Sequence, residues 1–243
     1  MKHPNNPPLN YLFFIKFFEM IEMDAIITAA GKNSRMINDF KKMGKTPIHK
    51  LSLTINNKPL IVHTIEQVLN SDIENIIICL GHFKDEIYGI LEEYSLLDKV
   101  IIVVNENPNV GLTKTISNAL EKSEDNFYLF AAADQPTLTT ATINRMINVL
   151  KNSPNPKNTI SILRRRNVGK LDSAEGLGMP FCCYGKLLYE YINGEDDNLN
   201  PILRKMIKDE VEFYALREAN NLELLNINHY NDYLEIKKEL EKY

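Results

Sequence analysis

Short apolar runs alternate with amphipathic stretches along most of this chain. The first run, at residues 25–30, carries no charged side chain, which is typical of a strand buried on both faces of a parallel sheet. Runs rich in Ile, Val, Phe or Tyr follow at residues 75–80, 99–105 and 126–132. Strands that alternate with helical stretches favour βαβ units, so the pattern predicts an α/β fold with a parallel sheet.

Helical spacing of apolar side chains marks the connections between these runs. Residues 60–69 and 87–94 place apolar side chains three and four positions apart, as in an amphipathic helix. The second half of the chain is less regular. There we predict strands at residues 159–163, 179–184, 211–215 and 222–227, helices at residues 186–192 and 201–207, and a charged C-terminal helix from Asn231.

We expect a single domain over residues 23–243, because a chain of 243 residues can bury one sizeable core. Residues 1–22 differ in composition and are interpreted as an N-terminal extension. The apolar run within them is shorter than the roughly 20 residues of a membrane span, and no small-residue cleavage site follows it. We therefore expect a cytoplasmic protein with no membrane partner.

The overall charge favours a small-molecule partner. A formal net charge of −4 argues against non-specific binding of nucleic acid. The cysteines, Cys79, Cys182 and Cys183, lack the spacing of metal ligands, so we expect them to be buried in a reducing compartment.

The loop after the first strand has the residue types of a phosphate-binding site. Gly31 permits a turn that a Cβ atom would hinder, and the backbone N–H groups after it can face an anion. Lys32 and Arg35 add positive charge. Gly44-Lys45-Thr46 is similar to the end of a Walker motif, but that motif is excluded because Asp39 stands where it requires glycine. The glycine spacing of a dinucleotide-binding fold is missing as well.

A single carboxylate follows the strand predicted at residues 126–132. Asp134 comes directly after this strand, and Pro136 then stops the strand pattern. One interpretation is a ligand for Mg²⁺, which needs only one or two protein carboxylates beside phosphate oxygens. The other is an N-cap for a helix that begins near Thr139. The residues alone leave both open.

Six short motifs carry a resemblance to a known family. They are Ala29-Ala30-Gly31-Lys32-Asn33-Ser34-Arg35-Met36, Lys50-Leu51, Asn105 with Gly111-Leu112-Thr113-Lys114-Thr115, Asp134-Gln135-Pro136, Gly178-Met179-Pro180 and Asn226-Ile227-Asn228. In their order and spacing the chain resembles the nucleotidyltransferases that activate molybdenum cofactor, within the wider group of nucleotide-sugar pyrophosphorylase-like folds. The resemblance implies a three-layer αβα fold of the nucleotide-diphospho-sugar transferase type, with a mostly parallel sheet.

The resemblance also implies a binding site for a nucleoside triphosphate. Arg35 and the first loop would hold the triphosphate; the loop residues are Ala29, Ala30, Gly31, Lys32, Asn33 and Ser34. Lys50 would reach the α-phosphate or the acceptor phosphate, where negative charge accumulates during displacement. Lys41, Lys42 and Lys45 compete with Lys50 for that role.

Further roles follow from the same resemblance. Asp134 would bind Mg²⁺, and Asn228 would be the second ligand or would orient the first. Asn228 has a competing interpretation as the cap of the last helix. Asn105, Gly111 and Thr113 would contact the nucleobase. The Ala-Ala-Gly sequence of the first loop favours CTP over GTP.

Two features depart from the family pattern. Relatives commonly carry Asp-Ile-Asp where this chain has Asn226-Ile227-Asn228, although an amide oxygen can still bind Mg²⁺. Residues 37–49 lengthen the connection between Arg35 and Lys50. They are interpreted either as a lid over the phosphates or as an ordinary surface loop.

The predicted activity is transfer of a nucleoside monophosphate, CMP favoured, from a nucleoside triphosphate to a phosphorylated acceptor. A molybdopterin-type acceptor is favoured, Mg²⁺ is the expected cofactor, and Arg35, Lys50 and Asp134 are the predicted catalytic residues. An ionised phosphate monoester needs no strong base, which agrees with the lack of an obvious catalytic histidine. Two alternatives stay open: a sugar- or alditol-phosphate acceptor, and a non-catalytic nucleotide-binding regulator. The arginines at 164–166 are either a contact for an acidic acceptor or a solvated strand edge.

Overall fold

The computed structural model describes residues 21–121 and 125–241. Apart from its last two residues, the predicted extension over residues 1–22 lies outside the described residues. The strands are β1 (Met23–Ala29), β2 (Thr54–Ile55), β3 (Lys58–Pro59), β4 (Ile76–Leu80), β5 (Ile101–Val104), β6 (Phe127–Ala132), β7 (Thr159–Arg164), β8 (Gly169–Leu171), β9 (Phe181–Tyr184) and β10 (Glu212–Arg217). The helices are α1 (Ser34–Lys42), α2 (Leu60–Leu69), α3 (Lys84–Glu93), α4 (Leu112–Leu120), α5 (Thr140–Lys151), α6 (Gly185–Ile192), α7 (Leu199–Lys208) and α8 (Tyr230–Leu240).

An eight-stranded sheet runs through the molecule in the order β5-β4-β1-β6-β9-β7-β10-β8. β1 pairs in parallel with β4 and β6, β4 pairs in parallel with β5, and β7 pairs in parallel with β10. β9 is antiparallel to both of its neighbours, and β8 is antiparallel to β10. β2 and β3 form a separate small hairpin. The predicted mostly parallel α/β sheet is confirmed.

Helices cover both faces of this sheet, which gives three layers. Successive side chains of β1 point to opposite faces: Ala25 and Ile27 pack with α2, α3 and α5, whereas Ile26 packs with α4, α6 and α7. Because β1 is buried on both faces, a charged side chain at any of these three positions would be buried away from water, which costs free energy. The lack of charged side chains at residues 25–30 follows from this position.

The first half of the stretch between Arg35 and Lys50 belongs to a packed helix. α1 buries Met36 and Phe40 against Tyr233 and Ile236 of α8, forming a third, smaller apolar cluster. Asp39 on the same helix accepts a hydrogen bond from the backbone N–H of Tyr230 at 3.0 Å. Only residues 43–48 of this stretch form a continuous exposed loop.

The strand predicted at residues 222–227 is wrong. The chain there makes a turn and then an irregular segment outside the sheet. β10, the strand before it, already has β7 on one edge and β8 on the other, so no free edge lies beside it. Instead, the backbone N–H of Ile227 donates to the carbonyl oxygen of Asp134 at 3.0 Å. This contact brings Asn226 and Asn228 to the carboxyl end of β6.

Within the part of the chain that the structure describes, each helix is too short or too polar to cross a lipid bilayer.

Candidate active site

The site lies where the direction of the chain across the sheet reverses. After β1 the chain continues to β4 and β5 on one side, and it then returns to β6 on the other side of β1. Ligands of open α/β sheets bind at such a switch point, beyond the carboxyl ends of the strands. A cavity of about 400 Å³ opens there, lined by the residues that follow β1 and β6.

Most of the predicted site residues line this cavity. They are Ala29, Ala30, Gly31, Lys32, Asn33, Ser34, Arg35, Lys50, Gly111, Asp134 and Asn228. Asn105 and Thr113 are not among the lining residues. Lys41, Lys42 and Lys45, the competitors of Lys50, are exposed and also lie outside the lining.

The turn after β1 is made by Asn33. Its φ of 57° is in the left-handed region, which asparagine tolerates better than most residues. Its side-chain Nδ2 donates to the carbonyl oxygen of Ile48 at 3.1 Å, and its own carbonyl accepts the first backbone hydrogen bond of α1, from Ile37. A Cβ placed on Gly31 would meet no described atom within 4 Å. The glycine therefore leaves free space beside the loop and is not required by the turn itself.

The N-terminus of α1 faces this cavity without a cap. No described side chain caps it, and its first turn contains no acidic residue. Unpaired N–H groups and the helix dipole make such an end favourable for an anion. Ser34 and Arg35 occupy the first turn, and Lys32 precedes it. The cationic side chains of Lys32 and Arg35 therefore add to the positive end of the helix dipole.

Gly81 packs against Ala30 of the same loop, a contact that was not expected from the sequence. A Cβ on Gly81 would lie 2.7 Å from the carbonyl oxygen and 2.9 Å from the Cβ of Ala30. The turn after β4 thus contacts the loop after β1 closely, and only glycine allows this approach. Gly81 directly follows the strand predicted at residues 75–80, and this position was the sequence signal that could have indicated its role.

Lys50 and Asp134 meet at the centre of the cavity wall. Lys50 begins a single 3₁₀ turn, and its Nζ forms a salt bridge with Oδ2 of Asp134. The two side chains are only 16% and 11% exposed. Asn226 donates from Nδ2 to the other oxygen, Oδ1, at 3.3 Å. The N-cap of α5 is Thr139, whose hydroxyl accepts from the N–H of Thr142, so Asp134 does not cap that helix.

Asn228 also lines the cavity and is not the cap of the last helix. That position belongs to His229, and Asp232 completes the capping box by accepting from the backbone N–H of His229 at 2.7 Å. The side-chain amide of Asn228 makes no hydrogen bond with any residue that the structure describes. It is therefore available to a ligand.

A buried histidine stands beside Lys50. His49 is 4% exposed and lies against Phe83, with ring centroids 4.3 Å apart. Burial and, to a lesser degree, the charge of Lys50 lower the pKa of His49 to about 4. The ring is therefore neutral at pH 7. His49, Met179 and Asn198 line the cavity although the sequence analysis gave them no role there.

Asn105 and Thr113 are held by other parts of the fold. Asn105 donates from Nδ2 to Thr115 at 2.9 Å and accepts from Asn118 at 2.9 Å. The Thr113 hydroxyl donates to the carbonyl oxygen of Asp197 at 3.2 Å and accepts from its N–H at 2.9 Å. Asn105 thus fixes the end of β5 to α4, and Thr113 fixes α4 to the loop before α7. Contact with a nucleobase stays a prediction for both residues.

Comparison with known proteins agrees with this geometry. A family model described as the MobA-like NTP transferase domain matches residues 25–209. The chain belongs to this family. The predicted relationship is thereby confirmed.

Several relatives of this MobA-like domain can be named. A nucleotidyl transferase from Methanothermobacter thermautotroptrophicus is 33% identical, with a TM-score of 0.83 over 91% of this chain and 98% of its own. The bifunctional protein GlmU of Francisella philomiragia is 27% identical over 52% of this chain. That match covers 25% of GlmU, so this chain aligns with about a quarter of the curated relative.

A third relative shares the fold alone. A CMP:2-keto-3-deoxy-manno-octonic acid synthetase complexed with CTP is 10% identical, with a TM-score of 0.64 over 91% of this chain and 99% of its own. The predicted nucleotide-diphospho-sugar transferase fold is confirmed by these structures together with the sheet topology.

Proposed function

We propose that this protein transfers a nucleoside monophosphate, CMP favoured, from a nucleoside triphosphate to a phosphorylated acceptor and releases pyrophosphate. The observation that carries the proposal is the Lys50–Asp134 pair, placed in one cavity with the uncapped N-terminus of α1. A triphosphate needs several positive groups, and Lys32, Arg35, Lys50 and the start of α1 all line the cavity.

Two observations favour CTP as the nucleotide. The Ala-Ala-Gly sequence at residues 29–31 is the form that the family resemblance associates with CTP. The fold relative whose structure contains CTP supports a cytidine nucleotide in a sheet of this type.

The oxygen donors of the cavity suit a magnesium ion. Asp134 is the one carboxylate among the described lining residues, and Asn226 and Asn228 add amide oxygens. Mg²⁺ commonly takes one or two protein carboxylates and completes its shell with phosphate oxygens and water. The unpaired amide of Asn228 fits a ligand role beside Asp134. Bound there, the ion would neutralise part of the charge that develops on the phosphates.

In the proposed reaction, an oxygen of the acceptor phosphate attacks the α-phosphorus in line. A new P–O bond forms as the bond to the β-phosphate oxygen breaks, and that electron pair leaves with pyrophosphate. Arg35 holds non-bridging oxygens with its planar guanidinium, and Lys50 neutralises charge at the α-phosphate. The attacking phosphate is already ionised, so the neutral His49 need not remove a proton.

A molybdopterin-type acceptor is the favoured choice, because the chain belongs to the MobA-like family. The amides at Asn226 and Asn228, in place of two carboxylates, favour a sugar- or alditol-phosphate acceptor as the second candidate. A regulator that binds nucleotide without turnover is the remaining alternative.

A nucleotide panel measured by thermal shift tests the binding step. CTP with Mg²⁺ should raise the melting temperature more than GTP, ATP or UTP does, because a ligand stabilises the state that it binds. Arg35→Gln should weaken CTP binding about tenfold, the loss expected for one charge-assisted contact. Lys41→Gln removes an equal charge from an exposed position on the same helix and should leave binding unchanged. No stabilisation by any nucleotide, or equal losses in both variants, would contradict the proposal.

A further inference from the structure

A second cavity adjoins the cavity of about 400 Å³ described above, which is called the nucleotide cavity from here on. The volume of the second cavity is about 760 Å³, within the usual range for a small-molecule site. The two cavities share lining residues, among them Met179, Asn198 and Asn226. Asn226 contacts Asp134 directly, so a molecule in the second cavity reaches the place where the phosphates would react. We call this second cavity the arginine chamber.

The charge of the arginine chamber is one-sided. Arg164, Arg165 and Arg166 line it at the carboxyl end of β7, and none of its described lining residues is Asp or Glu. The whole protein carries a net charge of −4, so this concentration of positive charge is local. The three arginines line the chamber and are not lining residues of the nucleotide cavity.

The N-terminus of α7 adds to that charge. Asn198, Leu199 and Asn200, at the start of this ten-residue helix, all line the chamber. No described side chain caps the helix, and its first turn has no acidic residue. Asp197, just before it, accepts from the backbone N–H of Asn198 at 2.7 Å and is not a lining residue. The helix end is therefore a second, independent feature that favours an anion in the same chamber.

Two of the arginines also brace the walls, and one is free. Arg164 donates to the carbonyl oxygen of Glu175 at 3.3 Å, and Arg165 donates to that of Asn221 at 3.1 Å. Arg165 also lies 3.8 Å from Glu218. Arg166 forms no hydrogen bond or ion pair with any described residue and is exposed. Its guanidinium is the group best placed to bind a ligand.

We infer that the acceptor carries a second anionic group besides the phosphate that reacts, and that the arginine chamber binds this group through Arg166 and the N-terminus of α7. The inference rests on the proposed function. One phosphate monoester next to Lys50 would leave Arg166 without a partner, because Arg166 lines the other cavity. A carboxylate or a second phosphate at the far end of the acceptor matches its position.

Matched hexose probes test this inference. Glucose 1-phosphate has one anionic group, glucuronic acid 1-phosphate adds a carboxylate, and glucose 1,6-bisphosphate adds a phosphate. Isothermal titration calorimetry on the full chain should give at least one of the two probes with a second anionic group about tenfold tighter binding than glucose 1-phosphate, as expected for an added charge-assisted contact. The probe with the larger gain identifies the second group as carboxylate or phosphate.

Two arginine variants show whether the chamber causes the preference. Arg166→Gln should remove most of the gain and leave CTP affinity unchanged. Arg145→Gln, at an exposed position on α5, should change neither. Equal binding of all three probes, or a preference that persists in Arg166→Gln, would overturn the inference. If the preference holds while CTP fails to bind, the chamber is supported and the proposed nucleotidyltransferase function fails.

Discussion

Replacing Gly81 with alanine tests how the fold positions the loop after β1, which is proposed to bind the triphosphate. The new Cβ would lie 2.7 Å from the carbonyl oxygen of Ala30, about 0.7 Å inside an ordinary van der Waals contact. The atom that it meets is backbone, so Ala30 and its loop must move. Overpacking of this kind costs about 1–3 kcal/mol, which lowers the melting temperature of a chain of this size by about 2–10 °C.

The functional effect of Gly81→Ala should exceed its effect on stability. Ala30 belongs to the loop that is proposed to hold the triphosphate, and a displacement of a positioning group by about 1 Å can reduce activity about a hundredfold. We expect CTP affinity, measured by calorimetry, to fall at least about tenfold, because the displaced loop no longer positions its groups on the triphosphate. The double variant Gly81→Ala with Ala30→Gly loses the contact between the two Cβ atoms at 2.9 Å but keeps the contact with the carbonyl oxygen of residue 30. It should therefore restore CTP binding only in part.

Gly89→Ala is the matched control for that experiment. Gly89 lies in α3, and a Cβ there would meet no described atom within 4 Å. Alanine in a helix is about 0.5–1 kcal/mol better than glycine, so this variant should melt slightly higher and bind CTP normally. Wild-type CTP affinity and an unchanged melting temperature in Gly81→Ala would refute the close contact with Ala30.

Three further predictions concern single residues of the site. Gly31→Ala should leave the free energy of unfolding within about 0.5 kcal/mol of the wild type but weaken CTP binding, because its Cβ enters free space beside the loop. Thr113→Val should lower that free energy by about 1–3 kcal/mol, since its hydroxyl is bonded to Asp197. If Thr113 contacts the nucleobase as predicted, CTP affinity measured by calorimetry should fall as well, and an unchanged CTP affinity would contradict that contact. His49 keeps a pKa near 4 when folded and near 6.5 when unfolded, so the unfolded chain binds more protons between these values. Stability should therefore fall by up to about 3 kcal/mol as the pH drops through that window, and His49→Gln should flatten the decline seen in denaturant titrations.

The sheet could be predicted in part from the sequence. The runs at residues 75–80 and 126–132 became β4 and β6, because a strand buried on both faces leaves a continuous apolar signal. β9 was expected as a strand, but nothing in its buried residues indicates that it runs antiparallel to β6. The segment at 222–227 has the composition of a strand, but both edges of the preceding strand, β10, are occupied, and the segment contacts Asp134 instead. That information lies in the tertiary arrangement.

The site could be predicted where polar residues follow strands. Arg35 and Asp134 come after β1 and β6, whose carboxyl ends are neighbours, so their proximity follows from the parallel pairing. Lys50 is far from any strand end, and its placement came from the family resemblance. Thr113 shows what the sequence leaves open: a threonine hydroxyl bonds equally well to a nearby backbone, here that of Asp197, and its contact with a nucleobase stays a prediction. The roles proposed for these residues remain predictions.

The most direct test of the central claim uses CTP labelled at the α-phosphate, with Mg²⁺ and phosphorylated acceptors. The proposed attack at the α-phosphorus predicts that the label enters the acceptor product in equal amount to the unlabelled pyrophosphate released. Lys50→Met and Asp134→Ala should each reduce this transfer by about a hundredfold or more, as loss of a charge-stabilising group does. Lys41→Gln should not affect it. Release of orthophosphate from the γ-position, or transfer that persists in both site variants, would contradict the account.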